Sequence, residues 1–173
     1  MTERFSEKQA EVLIASATNW ILGQREFHRP TSRPFSQSER KALERFWGDE
    51  FLDKIRIKVG SIEVPPDFAR FLSPGLIGIT FVDTVLLTPL GIAMGKGVRF
   101  HEAVHVAQFD VLGVQRFVAL YGRGLISGER YHQISLERQA FELQRRFLAN
   151  LTRPFNALDE VRSNLATQLS TNN

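Results

Sequence analysis

The sequence has 173 residues, 43% of them hydrophobic and 24% charged, which is the balance of a globular protein with one sizeable core. The formal net charge of +3 is too small to predict a dedicated nucleic-acid-binding protein. The sequence contains no cysteine, so disulfides and thiolate metal sites are excluded, and a zinc ion would need nitrogen and oxygen ligands. Residues 1–8 lack the apolar core of a signal peptide. We therefore expect a cytoplasmic protein, unless it is exported without a cleavable signal.

Two helices are predicted in the first 50 residues. A capping-box pattern at residues 6–9 predicts a helix over residues 7–22, with Gly23 just past its end. Residues 24–35 contain two prolines and three arginines, and we expect an extended connection there. A second capping box, from Ser36 to Glu39, predicts a helix that stops near Gly48.

The middle of the chain predicts strands. Within residues 51–62, Ile55, Ile57 and Val59 alternate with charged residues, the pattern of a half-buried strand. Residues 64–73 contain two prolines and indicate a crossing loop. Residues 75–94 are mostly apolar, but Asp83 and Pro89 interrupt them. We interpret residues 75–89 as a β-hairpin with Asp83-Thr84 near the turn, and we expect no membrane span.

The last third of the chain has helical periodicity. Helices are expected over residues 98–109, 111–121, 136–150 and 158–169, with a glycine-containing loop at 123–133 and a polar tail at 171–173. The order of helices, then strands, then helices predicts an α+β fold.

One motif carries chemistry, the run His101-Glu102-Ala-Val-His105, which matches HExxH. Residues four apart share one face of a helix, so the two imidazoles can bind one metal ion. Glu102 then flanks the metal without binding it, and its carboxylate can take a proton from a metal-activated water.

A catalytic zinc site needs a third protein ligand and one open position. The downstream candidates are Asp110, Glu129, His132, Glu137 and Glu142. We favour Glu137 over His132, because Glu137 opens a predicted helix and the small residue Ala140 follows one turn later. That spacing suits close packing on the motif helix.

Three further residues are candidates around this site. Gln108 lies on the ligand face of the motif helix and could form a hydrogen bond to a ligand; the alternative is a polar residue at a buried helix end. Tyr131 is the first choice for stabilising the oxyanion formed at a carbonyl, and His132 is a candidate to support the site beside it.

A resemblance to a known family rests on two runs, HEAVHVAQF and YHQISLERQAFEL. They resemble the short gluzincins, and are especially similar to the compact metallopeptidase-like domain of bacterial contractile injection system proteins, with HExxHxxQ and a later ExxA. The matching positions are His101, Glu102, His105, Gln108, Glu137 and Ala140. The resemblance covers residues 55–147. It implies a zincin fold that binds one zinc ion, but no particular substrate.

Together these observations predict a minimal zincin-like α+β domain over residues 51–170, with an N-terminal helical extension over residues 1–50 packed on it. In this domain, a small sheet accompanies the motif helix and a second ligand-bearing helix. The expected reaction is hydrolysis of a peptide bond, with zinc held by His101, His105 and Glu137 and with Glu102 as the base. The expected partner is a polypeptide substrate or a protein.

Two alternatives stay open. The first is a catalytically silent zinc-binding domain that acts as an interaction or assembly module. The second is a metal-free helical binding protein that uses a basic surface. The arginines of that surface are Arg25, Arg29, Arg33, Arg138, Arg145 and Arg146.

Overall fold

The structure is a computed structural model that describes residues 6–69 and 75–171. The expectations for residues 1–5, for the crossing loop from residue 70 to 73 and for residues 172–173 of the tail lie outside the described residues. Helices surround a small mixed sheet, which confirms the expected α+β class.

The first two helices begin where the capping boxes predict. Helix α1 spans Glu7–His28, and helix α2 spans Gln37–Trp47. In both boxes the serine side chain and the residue three positions on exchange hydrogen bonds, which confirms them. The predicted end of α1 was wrong, and the extended connection begins only at Ser32. The helix continues for six more residues, and Arg29–Thr31 form a 3₁₀ turn.

The reason for this difference is that one glycine weakens a helix without ending it, whereas a proline within a helix breaks it. Gly23 lies inside α1, where packing of the apolar face outweighs its propensity cost of about 1 kcal/mol. The helix ends at His28, two residues before Pro30.

The sheet is smaller than its sequence pattern predicts. Helix α3, Asp49–Lys54, occupies the first third of the predicted strand, and strand β1 is confined to Arg56–Val59. Strands β2, Gly78–Phe81, and β3, Thr84–Leu87, form the predicted hairpin. In the described part of the chain the strand order is β1-β3-β2, with β1 parallel and β2 antiparallel to β3. Strand β2 therefore forms an edge of the sheet.

The hairpin turn lies at Val82 and Asp83, one residue before the predicted position. Thr84 already pairs with Phe81, so it belongs to β3. Val82 has a φ of 63°. Two-residue hairpin loops require such positive φ values, which cost a β-branched residue on the order of 1 kcal/mol.

Two short helices begin at prolines. One lies in the predicted crossing loop, and the other lies at the end of the predicted hairpin. Helix α4 spans Pro66–Ala69, and helix α5 spans Pro89–Ala93. The Thr88 hydroxyl caps α5 by accepting from the backbone N–H of Gly91. Proline is well suited to the first turn of a helix because its missing N–H has no partner there.

The motif lies in helix α6, Lys96–Ile126, which joins the two predicted helices. Their break falls at Gly113, with φ 71° and ψ 162°, rather than at residue 110. Glycine reaches this conformation without a steric penalty. Helix α7, Ser135–Ala149, and helix α8, Ala157–Thr171, follow the prediction closely. The predicted loop at 123–133 begins only after Ile126 and contains a 3₁₀ turn at Tyr131–Gln133.

The first half of α6 is the centre of the core. Phe100 stacks on Phe147 of α7, with ring centroids 4.3 Å apart, and Phe46 of α2 meets both rings edge-on. Helices α1, α7 and α8 all pack on α6, and α1 also contacts β2. Buried side chains from before and after residue 50 share this core, and α3 spans that position.

Within residues 6–69 and 75–171, no helix combines the length and apolar character that a membrane span requires.

Candidate metal centre

Helices α6 and α7 bring three predicted ligands together. The Nε2 atoms of His101 and His105 are 3.1 Å apart. One carboxylate oxygen of Glu137 lies 3.3 Å from Nε2 of His101, and the other lies 3.4 Å from Nε2 of His105. All three side chains are buried, and one ligand atom from each falls within 4.8 Å of the others. The cluster could hold a metal ion, as the sequence predicts for these residues.

Local structure explains this convergence. The two histidines lie one turn apart on α6, so both imidazoles project from the same face. Glu137 lies in the first turn of α7, where the helix dipole favours a negative charge. Ala140 is fully buried one turn later, and its small side chain permits a close approach of the helices.

Hydrogen bonds at Nδ1 fix the tautomers of His101 and His105. Nδ1 of His105 lies 2.8 Å from the amide oxygen of Gln108, and Nδ1 of His101 lies 3.0 Å from that of Gln144. An amide oxygen only accepts, so each Nδ1 must donate. In a neutral ring the Nε2 atom then carries a lone pair that points into the cluster.

The orientation of Gln108 is itself determined by its neighbours. Its amide nitrogen donates to the Leu136 carbonyl and to the Gln139 side chain, each at 2.9 Å. Gln108 is completely buried. Its oxygen is therefore the end that faces His105, and Gln108 links the ligand helix to the start of α7.

The cluster brings several hydrogen-bond acceptors close together. Tyr121 donates its O–H to Oε1 of Glu137 at 2.8 Å. The other carboxylate oxygen, Oε2, is buried and has no hydrogen-bond partner. A buried carboxylate oxygen facing imidazole lone pairs is costly unless a cation lies among them. This orphaned oxygen is the observation that best fits a bound metal.

Without a metal, protons must supply the positive charge. Burial lowers the pKa of His105, but the Glu137 carboxylate outweighs burial and raises this pKa to about 9. Burial raises the pKa of Glu137, but the charge of His105 and the close approach of both imidazoles hold it well below its usual range. The site is therefore suited to hold positive charge, either as a metal ion or as a proton on His105.

The predicted base, Glu102, faces the edge strand rather than the cluster. The Thr80 hydroxyl of β2 donates to its Oε2 at 2.7 Å. Gly78 lies against the same carboxylate, where an added Cβ would stand 2.5 Å from Oε1. Glu102 is therefore held in one orientation between α6 and β2, and it borders the same cavity as His105 and Glu137.

Two tyrosines line the cavity beside the cluster. Tyr131, the predicted oxyanion donor, lines the cavity beside Glu102 and Glu137. Burial first, and then the charge of Glu137, raise the pKa of Tyr131 and of Tyr121 above the usual range. Both phenols therefore stay protonated and act as hydrogen-bond donors.

The other predicted candidates lie elsewhere. His132 is exposed on the 3₁₀ turn beside Tyr131, and Glu129 is exposed in the preceding loop. Asp110 pairs with Lys54 at 3.5 Å, and Glu142 pairs with Arg145 on the surface of α7.

Arg99, two residues before His101 in the sequence, is mostly buried and forms an ion pair with Glu39 of α2 at 3.0 Å.

Sequence reasoning missed three partners of the site: Thr80, Tyr121 and Gln144. Gln144 follows Glu137 by seven residues on the same helical face, and this spacing could have identified it. Tyr121 lies beyond the break at Gly113, and Thr80 lies on a strand, so no spacing rule connects either to the motif.

A cavity of about 130 Å³ opens beside the cluster. Its polar lining includes Glu102, His105, Glu137, Tyr121 and Tyr131. Most of the remaining lining is apolar and comes from α1, β2 and the second half of α6.

Comparison with protein-family models, with curated proteins and with solved structures finds no significant match. The likeness to gluzincins thus rests on the motif residues themselves.

Proposed function

We propose that this protein is a zinc-dependent hydrolase of peptide bonds. The observation that carries the proposal is the buried Oε2 of Glu137, which has no hydrogen-bond partner and lies 3.3 Å from Nε2 of His101, with Glu102 lining the adjoining cavity. The resemblance of both motif runs to short gluzincins supports the same reaction.

The donor set favours zinc over magnesium and calcium. Two imidazole nitrogens and a carboxylate are typical catalytic zinc ligands, whereas magnesium and calcium prefer sites made of oxygen atoms. The two Nε2 atoms are 3.1 Å apart, and each of them has a different oxygen of Glu137 within 3.4 Å, so the three side chains converge. His101, His105 and Glu137 would hold the ion.

When bound there, zinc would polarise the substrate carbonyl and lower the pKa of a water molecule to about 7. Glu102 accepts the proton as the water oxygen bonds to the carbonyl carbon. It then passes that proton to the leaving amine as the C–N bond breaks. Thr80 holds the carboxylate in place through the donated hydrogen bond. Tyr131, which lines the cavity with Glu102 and Glu137, would donate its O–H to the developing oxyanion.

A peptide could approach along β2. This strand is an edge of the sheet, and its Gly78 and Thr80 lie against Glu102. An extended peptide added to this edge would place a backbone carbonyl beside the base, using main-chain hydrogen bonds for affinity.

The first test is zinc content, measured by elemental analysis of the purified protein. We expect about one zinc ion per chain in the wild type and strong loss in His101→Ala and in Glu137→Ala, because each removes one of three ligands. The matched control is His132→Ala, which removes an exposed histidine and should keep the metal. Zinc retained in Glu137→Ala would contradict the assigned third ligand.

The second test separates hydrolysis from metal binding. We expect Glu102→Gln to keep its zinc and to lose peptide hydrolysis by a factor of about 10²–10⁴, the usual contribution of a general base. Glu129→Gln, an exposed change of the same chemistry, should leave turnover unchanged. Bound zinc without turnover in the wild type would instead indicate the silent interaction module.

A further inference from the structure

The cavity has one wall that the metal chemistry does not explain. Five residues of α1 line it, and we call them the α1 wall: Leu13, Ile14, Ala17, Trp20 and Ile21. Across the cavity they face Phe117, Val118 and Leu125 of α6. These residues are aliphatic or aromatic, so this part of the cavity offers few hydrogen bonds to water.

Contacts from Trp20 and from the residues after it hold the α1 wall in place. The Trp20 ring lies 5.6 Å from Phe68 and meets Phe81 of β2 edge-on at 5.5 Å. Near the end of α1, Arg25 binds both carboxylate oxygens of Asp83 at 2.8 Å, and Arg29 adds a third contact at 2.9 Å. A preformed apolar pocket with a few polar groups at one end is typical of a ligand site.

The size of the cavity indicates what it accepts. Its volume is about 130 Å³. An engineered cavity of about 150 Å³ lined by similar side chains binds benzene. A phenyl ring or a branched aliphatic chain is therefore of a size that this cavity can hold.

We infer that this cavity receives the large apolar side chain, such as phenylalanine or leucine, of a substrate residue next to the scissile bond. The inference rests on the proposed peptidase function. Because Glu102, His105 and Glu137 border the same space, a side chain seated on the α1 wall brings its own backbone to the metal ligands. Helix α1 then determines specificity while taking no part in the chemistry.

Benzene tests the pocket without any turnover. It is titrated into the full-length, zinc-loaded protein, and backbone amide shifts of Ala17 and Gly122 are followed by NMR. We expect saturable shifts at both, and a dissociation constant raised about tenfold or more in Ala17→Leu, which fills the cavity. Ala15→Leu, two residues earlier on the exposed side of α1, should bind as the wild type does. Equal binding by Ala17→Leu would overturn the inference.

Peptide pairs that differ only by glycine, leucine or phenylalanine beside the scissile bond test the substrate. We expect kcat/KM about tenfold or more higher for leucine or phenylalanine, and loss of this preference in Ala17→Leu. Leu13→Ala enlarges the pocket and should shift the preference toward tryptophan, which checks the assignment if Ala17→Leu folds poorly.

The outcomes separate this inference from the proposed function. Hydrolysis with no side-chain preference would leave the peptidase assignment standing and overturn the pocket assignment. Binding of benzene with no hydrolysis of any peptide would overturn the peptidase function, and the substrate assignment with it.

Discussion

The two sides of the cavity are built on different physical principles. On the metal side, His101, His105 and Glu137 are buried polar groups, and a specific neighbour orients each of them. On the α1 wall the side chains are partly buried and apolar, and their contacts have no preferred direction. A change on the metal side removes a particular hydrogen bond, whereas a change on the α1 wall alters only volume. We therefore expect chemistry to depend on the first side and selectivity on the second.

The largest effect on folding should come from Glu39, which supports the metal side from behind. Its carboxylate accepts two hydrogen bonds from Arg33 and one from Arg99 on the motif helix. The bonds from Arg33 outweigh burial and, together with Ser36, lower the pKa of Glu39 from 4.5 to about 2. That difference corresponds to about 3 kcal/mol of stability at neutral pH. We expect Glu39→Gln to lower the free energy of unfolding by about this amount.

The stability difference between the wild type and Glu39→Gln should depend on pH. A carboxylate with a depressed pKa stabilises the fold above its unfolded pKa, and that contribution is lost as pH falls through the folded pKa. The difference between wild type and Glu39→Gln should thus be full above about pH 4.5 and vanish near pH 2, as followed by urea unfolding. Glu44→Gln, an exposed change on the same helix, is the control. A pH-independent difference would contradict the electrostatic origin.

A smaller effect is expected at Gln108, which orients the ring of His105. We expect Gln108→Ala to weaken zinc binding by about 10–100-fold in a chelator competition, because loss of a partner behind a metal ligand has effects of this size. Gln115→Ala on the exposed side of α6 should bind zinc as the wild type does. Unchanged affinity in Gln108→Ala would mean that the ring is oriented by packing alone.

The smallest effect should come from Arg25, which fixes α1 to the hairpin turn. The ion pair with Asp83 is partly exposed, with about a quarter of the arginine side chain accessible. Partly exposed pairs contribute about 1 kcal/mol or less and are screened by salt. We expect Arg25→Gln to lower stability by about that amount at low salt, with zinc content unchanged. Arg116→Gln, an exposed arginine of α6, is the matched control. Loss of zinc in Arg25→Gln would show that the two sides are coupled.

Helix starts and the two candidate histidine ligands could be predicted because their causes are local. A capping box spans four residues, and the two histidines of the motif are four positions apart. Glu137 was identified because it opens a helix and has a small residue one turn later. Helix ends were predicted less well, since α1 continues through Gly23 and α6 breaks at Gly113, and tertiary packing decides which glycine ends a helix.

The sequence by itself determined the α+β class, the hairpin and the residue types available to bind a metal. Only the tertiary structure decided which groups surround them. Thr80 reaches Glu102 and Tyr121 reaches Glu137 because β2 and the second half of α6 fold back on the motif. Helix α1 forms one wall of the cavity although more than 70 residues separate it from the motif. The hydrophobic periodicity of one segment does not predict such contacts, because they depend on how distant segments pack together.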